Sequence, residues 1–194
     1  MADFDLIQNY LYMYHIDKFV LLPTYPETVQ DSLSATFAST NPLSRSAPIY
    51  SYSYSGPRQV QVSLNLHRDM MQQLNYGVSN INLNEVDIGD DYIDTMIKQL
   101  QAIALPRYSG DTKMVNPPLI ALRFGNEIYI KGVVTSGISI TYSGPILSNN
   151  KYAVVDISFT VSEITPYDAE SILSLGSFRG ISKTLERRIY KKST

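Results

Sequence analysis

Polar and apolar residues alternate most cleanly over residues 59–66, where Val60, Val62, Leu64 and Leu66 are interleaved with Gln59, Gln61, Ser63 and Asn65. A period of two puts the apolar side chains on one face and predicts a half-buried strand of an antiparallel sheet. The pattern returns at Val155, Ile157, Phe159 and Val161, set against Asp156, Ser158, Thr160 and Ser162. Apolar runs at 119–124, 128–135, 138–142 and 152–161 are separated by Gly125-Asn126, Ser136-Gly137 and Ser148-Asn149-Asn150. Each break is a turn signal, so the second half reads as a meander of antiparallel strands. Gly125-Asn126 fits a tight hairpin in which Gly supplies the positive φ.

One segment has a helical period. Ile93, Met96, Ile97, Leu100 and Ile103 form an i, i+3, i+4, i+7 stripe behind Asp90 and Asp91, whose carboxylates suit the positive end of a helix dipole. Pro106 ends it, because proline has no N–H to donate and disfavours helix in the residue before it. Phe4, Ile7, Tyr10, Leu11 and Tyr14 also fall near helical spacing, and residues 1–20 are expected to form a short helix or arm. Residues 24–50 are rich in Pro, Ser and Thr and predict loop with short strands. Tyr50-Ser51-Tyr52-Ser53-Tyr54 then places three tyrosines on one strand face, and Gly56-Pro57 makes a turn. The polar stretch 70–89 reads as an insertion or a loop with a short helical piece. The expected organisation is an arm at 1–20, a β domain at 21–166 and a basic tail at 167–194. A helix packed on antiparallel strands makes the fold class mainly β (α+β), a small barrel or a two-sheet sandwich.

Composition narrows the possible functions. A chain of 194 residues has room for one domain with a real core. Cys is absent, which removes disulfides and thiolate metal ligands. A formal net charge of -2 gives no general attraction for nucleic acid. No apolar run approaches the length of a membrane span and no leader pattern opens the sequence, so a soluble protein without membrane insertion is expected. The aromatic set of 15 Tyr, 6 Phe and no Trp suits contact surfaces, since Tyr is apolar in body and polar at its tip. An ordinary strand-rich core with Tyr at its rim accounts for it as well.

Candidate chemistry is sparse. The only histidines, His15 and His67, have no nucleophile elbow to serve, and each is expected to be solvated or locally bonded. Glu85, Asp87, Asp90, Asp91 and Asp94 form the one acidic cluster, but their spacing is not that of an EF-hand, and capping accounts for Asp90 and Asp91. In Ser55-Gly56-Pro57-Arg58 and Tyr142-Ser143-Gly144-Pro145 proline removes an N–H that a phosphate needs. Lys183, Arg187, Arg188, Lys191 and Lys192 make a basic run suited to nucleic acid, to an acidic protein surface or to a solvated terminus. No catalytic, cofactor or metal site is assigned and no enzyme is expected. The candidate interface residues are Tyr50, Tyr52, Tyr54, Arg58, Tyr142, Arg187 and Arg188.

The order of motifs adds a resemblance. Pro26-Glu27-Thr28-Val29-Gln30-Asp31-Ser32, then Ser55-Gly56-Pro57-Arg58 leading into the alternating strand, then Leu100 to Tyr108, ending in Leu105-Pro106-Arg107-Tyr108, come in sequence. Pro117-Pro118-Leu119-Ile120-Ala121-Leu122-Arg123-Phe124-Gly125 follows, then Tyr129-Ile130-Lys131-Gly132-Val133-Val134-Thr135-Ser136 and Ile138-Ser139-Ile140-Thr141-Tyr142. This set, spanning residues 21–166, resembles the N-terminal domain of the LysM-bearing baseplate proteins of contractile phage tails and contractile injection systems. The resemblance implies a tail-tube-like split β-barrel of two antiparallel sheets with one flanking amphipathic helix, and a structural role without substrate or cofactor. It implies a virion protein made in the host cytoplasm, forming a homo-oligomeric ring against other tail or baseplate proteins (tube, hub, spike, sheath or wedge), with passive passage of DNA. Residues 167–194 are too short and too basic for a LysM module, so peptidoglycan binding is not carried over. A hub-to-tube connector or tube-initiator ring is the leading expectation, with the tail tube subunit proper and a Tyr-lined carbohydrate- or peptide-binding module as alternatives. An enzyme using the acidic cluster is the remaining one.

Overall fold

The computed structural model describes residues 9–22, 26–44, 46–71, 91–108, 115–125, 127–165 and 168–174. Among these described residues, eleven strands run in chain order as β1 (Asn9–Met13), β2 (Lys18–Leu21), β3 (Thr28–Ser32), β4 (Ala35–Thr40), β5 (Ile49–Ser55), β6 (Gln59–His67), β7 (Arg107–Tyr108), β8 (Val115–Asn116), β9 (Ile120–Phe124), β10 (Ile128–Ile146) and β11 (Tyr152–Glu163). Helix α1 spans Tyr92–Ala102 and a short α2 spans Ala169–Ser174. One seven-stranded sheet, ordered β2-β1-β9-β10-β11-β6-β3, is antiparallel throughout, and β4-β5 and β7-β8 form separate two-stranded sheets. The mainly β fold with a flanking helix is thus as expected. The main sheet is open: β2 and β3 are its two edges and do not pair with each other, so no closed barrel forms.

The alternating strands meet as their pattern requires. Val60 stands opposite Val161, Val62 opposite Phe159, Leu64 opposite Ile157 and Leu66 opposite Val155, all on one face and all buried. Helix α1 packs on that face through Ile93, Met96, Leu100 and its C-cap Ile103. Each of these side chains is at most 1% exposed, worth about 2 kcal/mol in transfer free energy.

The helix expected in residues 1–20 is a β-hairpin where the chain is described. Strand β1 lies between β2 and β9, with Leu11 opposite Leu122, so residues 9–21 belong to the sheet and are not an arm before it. The cause is burial on both faces. Leu11 and Met13 join the main core, while Tyr10 and Tyr12 enter a second cluster with Ala121 and Tyr129 on the reverse side. A strand buried on both sides loses its alternation and imitates helical spacing. Burial, with the neighbouring Tyr14 and Tyr10 adding to it, pushes the Tyr129 hydroxyl far above its ordinary value, so it stays a neutral phenol.

Ser136-Gly137 is also not the turn its residues suggest. β10 is one strand of 19 residues. Val134 pairs with Val161 and Ile138 with Phe159, so residues 135–137 stand opposite Thr160 alone, an irregular bulge with Gly137 at φ 74. Ahead of the bulge β10 presses on β11: a Cβ on Gly132 would lie 2.0 Å from the Ser162 carbonyl oxygen. The Gly125 turn is as expected, with φ 52 between Phe124 and Ile128, which pair across it. The 70–89 insertion beyond residue 71 and the basic tail from 175 onward lie outside the described residues.

Candidate interaction surface

Strands β4 and β5 form a ribbon that buries nothing. Every residue of both is exposed. Ala35 pairs with Ser55 at its base, where the Gly56 N–H donates to the Ser34 carbonyl at 2.8 Å. Tyr50, Tyr52 and Tyr54 are 66%, 59% and 61% exposed, but a bulge at Ser53 breaks the alternation predicted for 50–54: Tyr52 pairs with Phe37 and Tyr54 with the adjacent Thr36, so Tyr50 and Tyr52 share one side and Tyr54 turns to the other. Across the ribbon Phe37 adds a third ring to the side of Tyr50 and Tyr52, edge-on to Tyr52 at 5.6 Å between centroids. Leu43, in the loop at the far end, is 99% exposed. A two-stranded ribbon without cover is marginal in water, and one aromatic pair adds only about 1 kcal/mol. The described part of the chain therefore supplies no apolar cover for the ribbon.

A second exposed patch ends the β10-β11 hairpin. Tyr142 and Tyr152 lie 6.2 Å apart between ring centroids, and Ile146 pairs with Tyr152. The patch continues the core face: Ile138 and Ile140 are half-buried against the core, while Tyr142, Ile146 and Tyr152 extend past it into solvent.

The patch is held by charge. The buried Arg68 guanidinium donates from Nε to the Tyr152 carbonyl at 2.8 Å and from Nη1 to the carboxylates of Asp91 and Asp94. Lys151 bonds the same two carboxylates from the hairpin side. Asp91 caps α1, its Oδ1 accepting from the Asp94 N–H at 2.8 Å. The acidic cluster therefore serves as cap and clip where it is described, and Glu85, Asp87 and Asp90 lie outside the described residues. Among the described residues no three His, Cys, Asp or Glu side chains are grouped to hold a metal ion. No helix among them is long and apolar enough to cross a membrane.

The clip carries a pH signature. Burial alone would raise the Asp94 carboxyl, but hydrogen bonds and charge from Lys151 and Arg68 outweigh it and hold it below its ordinary 3.8. The bond to Asp94, against some desolvation and with help from Asp91, raises Lys151 above its ordinary 10.5. A lowered carboxyl stabilises the fold above its unfolded value, and that gain fades as pH falls through the folded value. A raised amine stabilises below its unfolded value and loses that gain as pH climbs past the folded one. Asp94→Asn is accordingly expected to cost about 1 kcal/mol at neutral pH in urea unfolding, a difference that closes once the carboxyl is protonated. A penalty unchanged down to acid would remove the ion pair as its cause.

Of the residues expected at an interface, Tyr50, Tyr52 and Tyr54 share the ribbon and Tyr142 lies on the other patch. Arg58 is a correction. It is 5% exposed, with Nε and Nη2 forking onto Asp31 at 2.7–3.0 Å, Nη1 donating to the Tyr129 carbonyl at 3.0 Å, and Glu163 at 3.8 Å. It ties β3, β6, β10 and β11 together and offers nothing to a partner. Arg187 and Arg188 lie outside the described residues. His67 is exposed at the end of β6. His15, expected to be solvated or locally bonded, is buried at 7% exposure with neither ring nitrogen in a hydrogen bond. Phe37, Ile146 and Tyr152 were not singled out from the sequence. Each does fall at a tyrosine-like position of a Ser/Thr-rich strand, which is the signal that would have found them.

No family model and no curated protein matches the chain. Among solved structures it is similar to a chain from the tail of an empty gene transfer agent (GTA) particle, determined by helical refinement with C6 symmetry. The TM-score is 0.40 with 12% identity, over 87% of this chain and 100% of the other. It is also similar to a chain from the virion of the native GTA particle, at TM-score 0.37 and 11% identity, over 84% and 96%. Likeness at these values assigns no family and no role.

Proposed function

We infer that this chain is a structural subunit of a contractile phage-type tail, working by association with copies of itself and with neighbouring tail or baseplate proteins. The observation that carries the reading is the β4-β5 ribbon: three aromatic rings, Phe37, Tyr50 and Tyr52, on one side of an element that buries none of its own residues. The ordered motif set from Pro26 to Tyr142 supports the choice of a tail, and the open edges at β2 and β3 suit a subunit whose sheet is protected by neighbours. Within the tail, a hub-to-tube connector or tube-initiator ring is proposed, with the tube subunit proper as the alternative. Copy number separates these by quantitative mass spectrometry of purified tails: near that of the hub favours the connector, near that of the tube the subunit. Tails lacking the chain altogether would end the reading.

Self-association has its own test. Light scattering on the purified chain at micromolar concentration is expected to give a mass several times 21.8 kDa. Phe37→Ser combined with Tyr52→Ser is expected to weaken the assembly by at least about tenfold in concentration, because it removes two central rings worth about 1 kcal/mol or more each. Both side chains are exposed, so the circular dichroism of the fold should not change. A wild-type chain that stays monomeric at every concentration would rule self-assembly out. The exposed tyrosines also favour a second reading, a carbohydrate- or peptide-binding face, which glycan and peptide arrays with the Tyr52→Ala variant as control would test.

A further inference from the structure

We propose that the aromatic side of the β4-β5 ribbon of one copy docks on the exposed end of the β10-β11 hairpin of the next. This head-to-tail contact rests on the reading of the chain as a self-assembling subunit.

Four properties of the two surfaces lead to it. The first is spacing. Rings two residues apart on a strand recur about every 7 Å, and the Tyr142 and Tyr152 rings lie 6.2 Å apart, so one set fits between the other. The second is charge. Residues 33–44 and 46–56 contain no Asp, Glu, Lys, Arg or His, and the one charged residue at the hairpin end, Lys151, is already held by Asp91 and Asp94. Arg45, between those two ranges, is the one charge of the connection and lies outside the described residues, while the described strands of the ribbon and the hairpin end offer each other an uncharged face of Tyr, Ser, Thr and Ile.

The third property is area. Three rings, Phe37, Tyr50 and Tyr52, each more than half exposed and each about 150–250 Å² in full, supply roughly 350 Å². That is roughly two fifths of the ~800 Å² that one partner gives to a standard interface, before the rest of the ribbon is counted. The fourth is support. Ribbon against ribbon would join two elements with no core behind either and would leave Tyr142, Ile146 and Tyr152 uncovered. Ribbon against hairpin end sets the rings on a platform braced by Ile138 and Ile140 and by the Arg68 clip, and covers both patches at once. Since every copy carries one of each surface, the contact is heterologous and propagates into a ring or a stack, where a self-complementary patch would stop at a dimer.

The absence of Cys makes the test direct. Tyr50→Cys and Ile146→Cys, two exposed positions that leave the Phe37–Tyr52 and Tyr142–Tyr152 pairs intact, are made separately and together in the full chain. After mild oxidation, a mixture of the two single variants is expected to give a disulfide-linked dimer, and the double variant a ladder of higher species that reducing agent collapses. Each single variant alone is expected to stay at the monomer band. A linked dimer from Tyr50→Cys alone would overturn the proposal in favour of a ribbon-to-ribbon contact. Absence of any link in material that light scattering finds oligomeric would overturn it while leaving self-assembly standing. A monomer by light scattering would overturn both.

Discussion

Gly132→Ala is expected to destabilise the fold by about 3 kcal/mol, the upper part of the usual overpacking range, because the clash is with backbone. The added methyl would stand 2.0 Å from the Ser162 carbonyl oxygen and 2.8 Å from its carbon, and a main chain held between two neighbouring strands has little room to retreat. For a chain of this size the loss corresponds to roughly 6–12 °C in Tm. Gly137→Ala is the control. Its Cβ would meet nothing within 4 Å, so only the φ of 74 is penalised, at about 1 kcal/mol. Thermal and urea unfolding of the two variants should separate by that margin, and equal losses would mean that the close approach of β10 to β11 is not what requires glycine at 132.

Replacing Arg58 with Met should cost about as much, roughly 3–5 kcal/mol, since it removes one member of a buried charge network and leaves the others behind. The change withdraws the fork onto Asp31, the donor to the Tyr129 carbonyl and the cation beside Glu163, whose side chain is 4% exposed. Arg58→Lys restores charge but not the planar fork, and should recover less than half of the loss. Asp31→Asn should cost less than either, because Asp31 is 40% exposed and water replaces part of what it loses. If Arg58→Met unfolds at the wild-type urea midpoint, the network is not holding β3 to the sheet. Assembly measured in the same samples should follow stability alone, since Arg58 faces no partner.

How much was legible in the sequence depended on whether one element saw one environment. Strands β6 and β11 were legible because one face meets the core and the other water, which leaves a period of two in the residues. Helix α1 was legible for the same reason at its own period, with Asp91 as its cap. β1 was not, since Tyr10 and Tyr12 are buried as fully as Leu11 and Met13 and the alternation disappears. β10 was divided in two because Ser-Gly is equally at home in a turn and in a bulge, and only the partner strand decides which. Arg58 was misplaced because Gly-Pro before it suggests a surface turn, while the carboxylate that claims it lies 27 residues earlier. The tyrosine alternation at 50–54 correctly marked a strand and put Tyr50 and Tyr52 on one side, but gave no sign of the bulge at Ser53 that turns Tyr54 away from them. It could not say whether the chain covers that side itself, and within the described residues it does not.

The place of β1 also sets an order of events during synthesis. Its partner β9 begins at Ile120, so a strand made among the first residues can enter the sheet only after more than half of the chain has followed it. At translation rates of about 10 residues per second, the β1-β2 hairpin must wait roughly 10 s with Tyr10, Leu11, Tyr12 and Met13 all uncovered and one edge free. Contacts of such long range also slow refolding of the completed chain. Among the described residues the β1-β2 hairpin is therefore the element that stands uncovered longest during synthesis, and a place where crowded expression should turn folding into aggregation.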